Sequence, residues 1–112
     1  MEIIQTEKEE YTLVAVSGRL DASTAHHIEQ EFLRNEDGGD KKLLIDLAGL
    51  EYISSAGLRV MLITAKKINA GHGRLCLINL KPQVKEVFDI SGFTALFNIA
   101  GSEEEALYIF ND

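Results

Sequence analysis

The chain has 112 residues, which suits one domain with a single core and leaves little room for a second. Its composition, 46% hydrophobic and 26% charged, is that of a globular protein rather than a disordered or fibrous one. The formal net charge of -7, with no run of lysines and arginines, argues against nucleic acid or an anionic membrane as partner and for a protein with a basic face.

The amino-terminal part reads as two strands, residues 3–8 and 11–17, around a turn at Glu9-Glu10. Leu13-Val14-Ala15-Val16 is apolar enough to be covered on both faces, and Gly18 ends the strand. Asp21-Ala22-Ser23-Thr24-Ala25 is rich in capping residues and opens a helix with Ala25, Ile28 and Phe32 on one face, ending near Asp37-Gly38-Gly39-Asp40. Residues 42–47 form a third strand, after which Asp46 caps or hydrogen-bonds a turn that runs on to Ser55. From Ser55 the apolar set Leu58, Met61, Leu62, Ala65 and Ile68 recurs at three and four, a second helix closed by Gly71.

Residues 74–78 make a fourth strand, in which Cys76 lies within the apolar run Leu75-Cys76-Leu77-Ile78. One cysteine permits no disulfide framework and suits a reducing compartment, where it serves as a small buried hydrophobe. Pro82 fits the first turn of a third helix with Val84, Val87 and Phe88 on its apolar side and Gly92 as its stop. A short strand follows around Phe97 to Ile99. Ser102 with Glu105 is a capping box for a terminal helix with Ala106, Ile109 and Phe110 on one side.

Strands alternating with helices after an opening hairpin predict one α/β domain over residues 1–112: a mixed, mostly parallel sheet with an antiparallel opening hairpin and about four helices. Functional loops of such sheets gather at the carboxyl ends of the strands, so Gly18–Thr24 and Asp46–Ser55 are expected to share one surface. No stretch approaches the roughly 18 apolar residues of a membrane span, and Met1-Glu2-Ile3 does not begin a targeting signal, so a cytoplasmic protein without direct membrane insertion is expected.

Tyr52-Ile53-Ser54-Ser55-Ala56-Gly57-Leu58 places two hydroxyls and a glycine at a helix start. A serine there caps the helix, and the dipole favours negative charge at the same point, so a phosphate is tolerated where a cap is ordinary. Enzymatic readings fit less well. The serines lack the Gly-x-Ser-x-Gly elbow and a histidine placed to activate them. His26 and His27 point about 100° apart on a helix and His72 sits in a Gly71–Gly73 turn, so all three read as solvated surface residues and no metal or cofactor is implied. Gly57-Leu58-Arg59 is not a phosphate-cradling loop. Asp46 suggests a phosphoaspartate receiver, but the strand end at Val16-Ser17-Gly18 lacks the acids that would hold magnesium.

The segments Gly18-Arg19-Leu20-Asp21-Ala22-Ser23-Thr24-Ala25, Leu44-Ile45-Asp46-Leu47 with Tyr52 to Leu58, Pro82 to Asp89 and Ser91-Gly92-Phe93 resemble, in order and spacing, the STAS-domain anti-sigma factor antagonist family. The resemblance spans nearly the whole chain. It implies partner switching rather than catalysis: the unmodified antagonist binds an anti-sigma factor that is also a serine kinase and so frees a sigma factor. Phosphorylation releases the antagonist, and a metal-dependent serine phosphatase resets it. The phosphoacceptor falls on Ser55, with Ser54 as the alternative because it replaces the family's usual aspartate. Partner contacts are implied for Asp21, Ser23, Thr24, Ser54, Ser55, Gly57 and Leu58, although Ser23 or Thr24 also suits a helix cap. The competing readings are a STAS scaffold subunit of a larger signalling or membrane transport complex, and an enzyme or small-ligand binder using the Ser54-Ser55 turn.

Overall fold

A computed structural model of the protein describes residues 1–33 and 42–111. Five strands, β1 (Glu2–Glu7), β2 (Thr12–Leu20), β3 (Lys42–Ile53), β4 (Arg74–Ile78) and β5 (Asn98–Ala100), form one sheet in the order β1-β2-β3-β4-β5. The β1–β2 pair is antiparallel and every later pair is parallel. Four helices, α1 (Ala25–Leu33), α2 (Ser55–Ala70), α3 (Pro82–Ile90) and α4 (Glu103–Phe110), complete the described residues with a single 3-10 turn at Phe93–Leu96. This is the mixed α/β architecture that the hydrophobic pattern predicts. The expected end of the first helix at Asp37-Gly38-Gly39-Asp40 lies outside the described residues.

Core side chains divide between the two faces of the sheet, as alternation along a strand requires. Val14, Val16, Leu43, Ile45, Leu75 and Leu77 join Ile28 of α1, Leu58, Met61 and Ile68 of α2 and Val84 and Phe88 of α3 in the larger core. Leu44, Cys76 and Ile78 point the other way, under Ala106 and Phe110 of α4. Cys76 is fully buried there, and burial raises its thiol pKa, so it remains an uncharged hydrophobe.

Two boundaries differ from expectation, and both shape the functional end of the sheet. β2 continues through Gly18 to Leu20, and β3 runs to Ile53 instead of turning after Leu47. The register explains why. Between Ala15↔Asp46 and Ser17↔Gly49, and again between Gly18↔Leu50 and Arg19↔Tyr52, β3 advances one residue more than β2, as in a β-bulge. Buried side chains then recur at Leu47, Leu50 and Ile53, a spacing of three that looks unlike a strand. Gly18 adopts φ +94°, open to glycine at little cost, within this irregular stretch. Asp46 does bond locally, its Oδ1 accepting from the Ala48 N–H at 2.9 Å and from Asn79 Nδ2 at 3.1 Å, but it does so within the bulged strand rather than at a turn.

The remaining boundaries follow the sequence reading closely. α2 ends at Gly71, where His72 takes the left-handed conformation and the Gly73 N–H reaches back to the Ile68 carbonyl at 2.8 Å, the bond that closes a Schellman motif. Pro82 opens α3, and Gly92 lies just past its end at φ +75°. Ser102 Oγ caps the Glu105 N–H at 3.1 Å, while the Glu105 carboxylate reaches back to the Gly101 N–H at 2.7 Å, one residue earlier than in the standard capping box.

Candidate functional site

The overhanging ends of β2 and β3 meet the start of α2. The Ser54 N–H donates to the Leu20 carbonyl at 2.9 Å, so the loop before α1 and the first turn of α2 are tied through one backbone bond. Gly57 makes the approach possible: a Cβ there would stand 2.7 Å from the Leu20 carbonyl oxygen and 2.8 Å from Leu20 Cγ. No larger residue fits without moving β2 or α2. The two expected loops therefore do form one surface.

The adjacent serines occupy different positions. Ser54, extended at φ -94° and ψ 172°, is the N-cap, and its Oγ accepts from the Gly57 N–H at 3.1 Å. Ser55 is the first helical residue, exposed, and its hydroxyl has no hydrogen-bond partner among the described residues. The first turn of α2 carries no acidic residue, so the positive end of the helix has no side-chain carboxylate of its own to meet it. Read from the sequence, cap and phosphate fall on one oxygen, that of Ser55; in the structure the cap is Ser54 instead, because the helix starts one residue after it.

Asp21 is half-buried beside them. Its Oδ1 accepts from the Ser23 hydroxyl at 2.6 Å and the Ser23 N–H at 3.0 Å. The Ser23 hydroxyl first, then the Ser23 amide, hold the Asp21 carboxyl below the usual carboxylate range, so it is anionic at neutral pH. Thr24 is turned inward: its Oγ1 donates to the Arg19 carbonyl and accepts from the Asp21 N–H, each at 3.0 Å. That bridge fixes the loop before α1. Ser23 is exposed. Gly57 and Leu58, expected at the partner surface, are buried; Leu58 is 1% exposed, so both support the site from beneath.

Two exposed residues escape a reading of one strand at a time. Arg19 and Tyr52 are register partners on β2 and β3, and the Arg19 guanidinium carbon lies 4.1 Å from the centre of the Tyr52 ring. Only the pairing of strands distant in sequence brings them together. Their chain neighbours Leu20 and Ile53 face the larger core. His26, His27 and His72 are all exposed, as expected of solvated residues, and among the described residues no group of three or more His, Cys, Asp or Glu is placed to hold a metal ion.

A STAS domain family model matches residues 2–106. The chain belongs to the STAS-domain anti-sigma factor antagonist family. A Bordetella bronchiseptica relative named as an anti-sigma factor antagonist, BtrV, is 42% identical over 98 residues, covering 88% of this chain and 84% of its own. Among solved structures, the STAS fold recurs in an anti-sigma factor antagonist from Mycobacterium paratuberculosis with a TM-score of 0.85 and 23% identity over 99% of this chain and 94% of that one. It recurs also in the Bacillus cell fate determinant SpoIIAA in its phosphorylated form, with a TM-score of 0.69 and 23% identity, covering 95% of this chain and 96% of that one. The first two of these relatives are named for antagonism of anti-sigma factors, a regulatory binding role rather than an enzymatic one. Among the described residues, no helix of this STAS domain is long and apolar enough to cross a membrane.

Proposed function

We propose that the chain is an anti-sigma factor antagonist that works by partner switching, with the whole of residues 1–112 as its working STAS unit. In the unmodified state the surface around Ser55, Asp21 and Ser23 binds an anti-sigma factor that is also a serine kinase, and a sigma factor is released. Phosphate on Ser55 ends that binding, and a metal-dependent serine phosphatase restores it. The cycle is cytoplasmic.

One observation carries this reading: Ser54 supplies the cap, which leaves the Ser55 hydroxyl free and exposed at the positive end of α2. Phosphorylation adds about -1.5 to -2 charges. The acid-free first turn accommodates that charge within the fold, whereas a partner packed against the same hydroxyl is pushed off. A few kcal/mol of lost contact and repulsion correspond to a hundredfold or greater change in affinity, so no global rearrangement is needed. The structural neighbour SpoIIAA, itself described in a phosphorylated form, is consistent with such a cycle.

The decisive measurement is mass-spectrometric mapping of phosphate on the protein purified from its own cells. Phosphate is expected on Ser55 and absent from Ser55→Ala, and Ser55→Glu is expected to lose part of the kinase affinity. Stoichiometric phosphate on Ser54, or equal kinase affinity of the unmodified and phosphorylated proteins in calorimetry, overturns the proposal.

A further inference from the structure

We infer that Arg19, stacked on Tyr52, is a specificity-determining anchor that engages a carboxylate on the contacting surface of the kinase, an inference that rests on the partner-switching reading. The stack sits at the same end of the β2–β3 ribbon as Ser55, one residue from the Leu20 carbonyl that receives the Ser54 N–H. Tyr52 is 40% exposed, and the Arg19 side chain is 64% exposed. An aromatic ring beneath a guanidinium restricts its motion, so less conformational freedom is lost when it binds.

The guanidinium also retains hydrogen-bonding capacity. Its one ionic neighbour among the described residues is Asp21, with Arg19 Nε 4.0 Å from Asp21 Oδ2, at the outer limit of an ion pair. Asp21 meanwhile makes its short hydrogen bonds, 2.6 and 3.0 Å, to Ser23. The two Nη groups of Arg19 have no partner among the described residues. A planar fork held in place and facing outward is suited to a bidentate carboxylate.

The chain is strongly acidic, with a net charge of -7, so a complementary partner surface is broadly basic. Arg19 reverses the sign locally beside Asp21, and the exposed Glu51, next in sequence to Tyr52, has Lys81 as its own ionic neighbour at 4.0 Å. Alternating signs fix the register of two surfaces and penalise a partner whose charges are in the wrong places. A kinase carrying an acidic residue opposite Arg19 is accepted; one with a basic residue there meets like charge.

Calorimetric titration of the kinase recovered with the wild-type chain, at low and high salt, tests this with Arg19→Ala, Arg19→Glu, Arg19→Lys and Tyr52→Leu. Arg19→Ala should weaken binding by about tenfold or more and flatten its salt dependence, as expected for a central arginine anchor. Arg19→Glu should weaken it further, and Arg19→Lys and Tyr52→Leu should fall between, since each keeps the charge but loses the fork or its platform. A charge-reversed acidic residue on the kinase should restore affinity to Arg19→Glu. Arg19 variants that bind as tightly as wild type, or that lose affinity only in proportion to a lower melting temperature, overturn the anchor and leave partner switching intact. A wild-type chain that binds no kinase overturns both.

Discussion

Ser54 gives its hydroxyl to the Gly57 amide, while Ser55, one residue later, begins α2 with its hydroxyl in solvent. The two are therefore separable by mutation. Ser54→Ala removes the cap and should lower stability by about 1 kcal/mol, read as a lower denaturant midpoint with an unchanged slope, while Ser55 remains phosphorylatable. Ser55→Ala removes the exposed acceptor and should leave stability within about 0.5 kcal/mol of wild type while abolishing kinase-dependent phosphorylation. If Ser55→Ala proves the more destabilising, the division of labour between the serines is wrong. The sequence shows two serines side by side at a helix start. Which of them is the cap depends on where the helix starts, and that start is set by the backbone bond from Ser54 to Leu20, a tertiary contact.

At the scale of elements, α2 buries one side chain at odds with its surroundings. Thr64 is fully buried, and its hydroxyl has no hydrogen-bond partner among the described residues. Thr64→Val keeps the shape and removes the stranded hydroxyl, so it should stabilise the protein by about 1 kcal/mol, measurable as a raised denaturant midpoint. A titratable latch ties α4 to the sheet: the hydroxyl of Tyr11, just before β2, donates to the Glu103 carboxylate in the first turn of α4. That bond, then burial and the carboxylate's charge, push the Tyr11 pKa up to about 12 from 10.0. The protonated phenol is favoured in the fold, so its contribution is complete below pH 10 and fades as the pH rises through about 12. Tyr11→Phe should be less stable than wild type at neutral pH, and the difference should shrink across that alkaline window in chemical denaturation. A gap that persists through it would assign the effect to the packing of Tyr11 on Phe110 instead. Regular elements such as β4 and α3 were legible from periodicity and punctuation, but β3 was not. Its bulges space Leu47, Leu50 and Ile53 three apart, and the small residues Ala48 and Gly49 mimic a turn, so only the pairing with β2 reveals one long strand.

The whole molecule is an acidic body with its proposed binding surface at one end of its sheet. Asp21→Lys changes the net charge by +2 while removing the carboxylate that organises Ser23. Kinase association should slow and its salt dependence diminish, as expected for a rim charge. Stopped-flow association at two ionic strengths, alongside a melting curve, separates this from a structural role. A lower melting temperature with an unchanged association rate would make Asp21 part of the fold alone. The combination of loops was anticipated because parallel sheets gather them at strand ends. The Arg19–Tyr52 contact was hidden because its partners lie on strands separated by α1. The overhang of β2 and β3 beyond Asp46↔Ile78, the last β3–β4 pair, has an evolutionary consequence. Asp21, Ser23, Tyr52 and Ser55 can drift while the β4 ladder and both cores stay fixed. Duplicated genes can therefore acquire insulated signalling channels through a few substitutions at this tip, without each copy having to reinvent its fold.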